Sequence, residues 1–167
     1  MQINLARKVQ YLTEEAAHKK ALRHARKKLG ARDVWLESME LKYKLFYFQK
    51  VLAIASRFPF KSKRSGYVIF FDSILAQAGL TPGVPVWDTA DVAEEATFSP
   101  SYSLERFDEQ RDELVEKHIL RRYMLKRPEL ELQGVERVWL PYYVCSYAAN
   151  GMAAEVLLNA ETGQLDI

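Results

Sequence analysis

One cysteine, Cys145, stands alone in the chain, so no internal disulfide can form. Seven glycines and six prolines are too few for a linker-rich or collagenous protein. No apolar run approaches the roughly 18 residues of a membrane-spanning helix. The first residues, Met1 to Lys8, lack the apolar core of a secretion signal, and the expectation is a cytoplasmic protein. His18, His24, His118 and Cys145 form no C-x-x-C, H-x-x-x-H or H-E-x-x-H spacing, so no metal site is expected. Phosphate-cradling glycine loops and G-x-S-x-G elbows do not occur, and no base can be named beside Cys145 to make it a nucleophile. Asp88, Asp91, Glu94 and Glu95 lack the glycine and terminal glutamate of a calcium loop. The chain therefore reads as noncatalytic, without cofactor.

What is present is an ordinary globular composition, 49% apolar and 28% charged, with an unusual distribution of charge. The net charge is only +2. Yet residues 1–66 hold sixteen lysines and arginines against five acids, and residues 67–167 hold eight against seventeen. Such a split is an argument about association, not about fold. Either the basic half meets an acidic partner, or the two halves neutralise each other within one chain or between two copies.

Along the chain the same order of elements is read twice. Thr13 can cap a helix whose first turn holds Glu14 and Glu15, and Gly30 stops it. Ala17, Ala21, Leu22, Ala25 and Leu29 form its apolar stripe. Strands are expected at 34–41, 43–54 and 67–72, with Lys61 to Gly66 as a hairpin loop. After an irregular stretch, Ser103 can cap a second helix with Leu104, Phe107, Leu114, Val115, His118 and Ile119 on its apolar face, ended by Arg127-Pro128. Strands follow at 135–138, 139–147 and 154–159, with turns at Asn150-Gly151 and 160–163. The expected fold is α+β, two similar units, each one amphipathic helix packed on a small antiparallel sheet of about three to four strands. Residues 1–79 would be the basic unit, 80–102 a linker and 103–167 the acidic unit.

Thr13-Glu14-Glu15-Ala16-Ala17 at a helix start, and Glu155 to Gly163 as an apolar strand closing through Ala-Glu-Thr-Gly, carry a resemblance. In these segments the chain resembles the PepSY family of small α+β modules, in tandem. The resemblance implies a noncatalytic binding or inhibitory module and transfers no catalytic residue.

Two surfaces stand out. Lys19, Lys20, Arg23, Arg26 and Lys27, with Lys63 and Arg64, form a candidate basic face. Half of the aromatic residues lie between Trp35 and Phe71, and Phe46, Tyr47 and Phe48, with Tyr142 and Tyr143, form a candidate aromatic surface. The functional expectation is a protein-interaction or regulatory module whose partner is another protein or a second copy of the chain. The competing expectation is single-stranded nucleic acid or an anionic surface on the basic face.

Overall fold

Thr13 begins the first helix as its side chain dictates, its hydroxyl accepting from the Ala16 amide at 3.1 Å. The computed structural model describes all residues except 8–9, 58–59, 124–125 and 167, with residues 57 and 60 described by backbone alone. Strand β1 (Gln2–Ala6) precedes helix α1 (Glu14–Leu29), which ends at Gly30 with φ +60°. Strands β2 (Trp35–Arg57), β3 (Phe60–Asp72), β4 (Ala78–Thr81) and β5 (Trp87–Asp91) follow. Helix α2 (Leu104–Leu114) continues through a π turn (Val115–Ile119) and a 3-10 turn (Leu120–Arg122), and β6 (Glu129–Ala149) and β7 (Met152–Asn159) close the chain.

The expectation of two helix-on-small-sheet units is overturned. All strands belong to one seven-stranded mixed sheet, ordered β4-β3-β2-β6-β1-β5 with β7 also on β6. The reason lies in two strands of 23 and 21 residues, several times the usual length of about 5–6. Nothing between Trp35 and Arg57 punctuates β2, so the two short strands read there are one. Pro141 lies inside β6 without ending it. Its missing N–H falls where β6 changes partner, from β1 (Leu5 opposite Trp139) to β7 (Tyr142 opposite Asn159). The expected loop at Lys61 to Gly66 is also strand, paired in register from Ala55 opposite Lys63 to Leu52 opposite Gly66. Within the stretch read as irregular, β4, β5 and a 3-10 turn (Glu94–Ala96) form.

The chain divides into two compact units, each discontinuous in sequence. The first comprises Met1–Lys44, Thr89–Phe98 and Trp139–Ile167. Here Ala17, Ala21, Ala25 and Leu29 of α1 pack on Tyr143, Cys145, Tyr147, Val156 and Leu158. Alanines let the helix approach the strands closely. The β6–β7 hairpin turns at Asn150 and Gly151, both at positive φ, as the Asn-Gly pair requires. A second turn is closed by Asn159, whose Oδ1 accepts from the amides of Glu161 and Thr162 and whose carbonyl accepts from Gly163. Gly163, at φ +71°, sends the chain back along β7, with Leu165 opposite Leu158. Asp166 thereby reaches Lys44, fully buried on β2, at 2.5 Å. The Lys44 ammonium also lies 4.8 Å from the ring centre of Tyr142.

The second unit comprises Leu45–Asp88 and Ser99–Val138. Its centre is a stack of Tyr47, Phe71 and Phe107, with ring centres 5.5–6.2 Å apart. Each such contact adds about 0.5–1.5 kcal/mol to the area buried. Buried Gln49 is satisfied on both sides, donating to the Gln133 carbonyl at 2.7 Å and accepting from Arg111 at 3.2 Å. The apolar face read for α2 holds for Phe107, Leu114, Val115 and Ile119 but not for His118, which is exposed. The π turn inserts a residue into the helical repeat, and Ile119 takes the inward place that an uninterrupted helix would give to position 118.

Two stability predictions follow from the first unit. Asp166→Asn should lower the unfolding free energy by about 3–5 kcal/mol in urea titration, because it takes a counter-charge from a buried ammonium; Lys44→Met, which removes the charge itself, should cost distinctly less. Glu161 provides the second test. Burial raises its carboxyl above the ordinary range, and Oε1 has no hydrogen-bond partner. An acid raised in the folded state contributes most below its unfolded pKa and loses that contribution as pH rises through the folded value. Glu161→Gln should therefore raise the urea midpoint at pH 7, with the gain gone near about pH 3.

Candidate functional site

Helix α1 is amphipathic because lysines and arginines occupy the positions between its buried alanines. Lys19, Lys20, Arg23, Arg26 and Lys27 are all exposed. Three of them share a groove. Lys19, Lys20 and Arg23 line one side of a cavity of about 560 Å³, and Gly163, Gln164 and Leu165 line the other. The walls are largely apolar under a cationic rim, and no carboxylate is among the described lining residues. The second wall exists because Gly163 turns there. A Cβ on Gly163 would stand 2.7 Å from Lys20 Nζ and 2.8 Å from Leu12 Cδ1, so only glycine leaves Lys20 its place.

The remaining basic candidates lie elsewhere. Arg26 donates through Nε to the Arg32 carbonyl at 3.1 Å, Lys27 lines no part of the groove, and Lys28 donates to the Glu155 carbonyl at 3.2 Å. Lys63 and Arg64 belong to the second unit, where they are exposed on β3. As successive strand residues they point to opposite faces, which a loop reading had hidden.

The aromatic candidates are not surface. Phe46, Tyr47, Phe48, Tyr142 and Tyr143 are each less than a tenth exposed. Strand alternation does send Phe46 and Tyr47 to opposite faces, but both faces are covered at this point. Tyr143 donates to the Leu12 carbonyl at 2.8 Å. Phe58 and the side chain of Phe60 lie outside the described residues.

The charges of α2 are matched locally. Glu109 pairs with Arg106, Glu113 with Lys117, Glu116 with Arg127, and Asp108 and Asp112 with Arg111. A second cavity of about 510 Å³ lies beside α2, lined by Arg106, Glu109, Gln110, Glu113, Lys117 and His118 among others. Its charges of both signs already pair with one another. By contrast, Lys19, Lys20 and Arg23 form no ion pair among the described residues.

Cys145 is buried, and the His18 ring stacks against Tyr147. Burial pushes the Cys145 thiol up to about 11. His18 Nδ1 stands 2.9 Å from the Tyr147 hydroxyl, which donates to the His18 carbonyl at 3.2 Å. Among the described residues no group of histidine, cysteine and carboxylate side chains is placed to hold a metal ion. No helix is long and apolar enough to cross a membrane.

Comparison with protein-family models, curated proteins and solved structures gives no match. The groove was half legible in the sequence. Spacing placed Lys19, Lys20 and Arg23 on one helix face, but Gly163 to Leu165 are distant in sequence, and only the turn at Asn159 signalled that the chain folds back.

Cys145 should resist iodoacetamide at pH 8 in the folded protein and react within minutes in urea, because thiolate is scarce and enclosed. Mass spectrometry of the two samples reads the difference.

Proposed function

We propose that the chain is a noncatalytic protein-binding module that takes an acidic, partly apolar segment of a partner protein into the α1 groove. One observation carries this reading: three exposed cations line a largely apolar groove in which, among the described residues, no carboxylate answers them. An extended segment with aspartate or glutamate beside a leucine or valine complements both rim and wall. The resemblance of Thr13 to Ala17 and Glu155 to Gly163 to PepSY modules points the same way, toward binding without chemistry. Single-stranded nucleic acid is less well served by this groove, because none of the described lining residues is an aromatic on which a base could stack.

Calorimetric titration with a peptide alternating glutamate and leucine tests the proposal. Binding is expected to weaken as salt is raised, since the rim is exposed. The triple change Lys19→Glu, Lys20→Glu and Arg23→Glu should weaken it at least about tenfold at unchanged melting temperature, each exposed charge being worth up to about 1 kcal/mol. Equal binding by the triple variant, or no binding by the wild type, overturns the proposal.

A further inference from the structure

A second cationic surface lies wholly within the second unit, and here rings are present. Strand β3 puts Lys63, Ser65 and Tyr67 on one face, opposite Ala55, Ala53 and Val51 of β2. The 3-10 turn that ends the α2 segment delivers Arg121, Arg122 and then Tyr123. The Arg122 guanidinium lies 5.4 Å from the centre of the Tyr67 ring. Tyr67, Ser65, Lys63 and Arg122 all act on the Tyr123 phenol, so these side chains stand close together. Lys63, Arg121 and Arg122 are exposed, and Tyr67 and Tyr123 are half-buried. None of the three cations has a carboxylate partner among the described residues.

We infer that this patch binds single-stranded nucleic acid, with Lys63, Arg121 and Arg122 meeting phosphates while the planes of Tyr67, Tyr123 and Arg122 meet bases. The inference goes beyond the α1 groove and does not rest on it. Three features favour this ligand over an acidic peptide. Rings that are only partly buried leave some of their surface for a base, which stacks on any π-face. A guanidinium already held against a tyrosine offers a further plane of the kind on which unpaired bases stack. Lys63 and Arg122 also bring positive charge to the rings: after the Tyr67 contact, and against burial, they help hold the Tyr123 phenol below its ordinary range. A duplex keeps its base faces stacked inside and uses only the cations.

Fluorescence anisotropy of labelled oligothymidylate on the full chain tests this, with the matching duplex and polyglutamate as competitors. The expected result is binding that falls steeply with salt as counterions are released, with the single strand preferred over the duplex. Tyr123→Ala should weaken binding about tenfold, and Tyr123→Phe, which keeps the ring, should keep most of it. The pair Lys63→Glu and Arg121→Glu should abolish binding, while Lys19→Glu with Arg23→Glu should leave it unchanged. Circular dichroism melting of each variant separates loss of binding from loss of fold. The inference is overturned if no binding is seen, if polyglutamate competes as well as the oligonucleotide, if Tyr123→Ala binds as the wild type does, or if the α1 changes abolish binding. Failure here leaves the α1 groove untouched, and the peptide titration fails or succeeds separately.

Discussion

A lysine ammonium with no access to water constrains the first unit more than any other group. Lys44 is enclosed on β2, and a buried charge is tolerable only when a counter-charge and further polar contacts accompany it. Asp166 supplies the counter-charge from the far end of the chain, and the Tyr142 ring adds a face. For Asp166 to arrive there, the chain must turn sharply after β7, which is why Asn159 closes the loop with three of its own hydrogen bonds and Gly163 adopts positive φ. The groove wall opposite Lys19, Lys20 and Arg23 is made of the residues just before Asp166. The ion pair therefore determines both how the last segment lies and whether the groove has two sides.

The local signals were legible where a short stretch carries its own reason. Thr13, Gly30, Asn150-Gly151 and Asn159 to Gly163 each act through backbone geometry or a nearby hydrogen bond, and all appear as read. Signals that depended on distant partners failed. The run from Lys61 to Gly66 has the composition of a turn, but it is the exposed end of a long hairpin whose partner, Leu52 to Ala55, supplies the pairing. His118 lies at helical spacing from Phe107, and nothing local announces the π turn that rotates it outward. The burial of Phe46 and Phe48 together with Tyr47 could not be read from alternation, which says that neighbours face opposite ways but not that both ways are covered.

Charge distribution follows the same division. The lopsided count of residues 1–66 is real, and it is divided between the two units, α1 belonging to the first while Lys63 and Arg64 on β3 belong to the second. On α2 and its π turn, arginines and lysines three or four positions away take up the carboxylates of Asp108, Glu109 and Glu113. Local pairing of this kind is worth little in stability. Lys19, Lys20 and Arg23 on α1, and Lys63, Arg121 and Arg122 in the second unit, have no such pairing among the described residues, and an uncompensated charge is what a partner sees.

The pairing of β3 has one further consequence. β4 covers only Val68 to Phe71, so among the described residues the outer edge of β3 before Val68 carries no neighbouring strand. An open edge with free amides and carbonyls is a template on which an identical strand from another molecule can add, the first step toward fibrous aggregation. Lys61, Lys63 and Arg64 line this edge in quick succession. Two such edges brought together would set like charges close to each other, which disfavours pairing of one copy's sheet with another's.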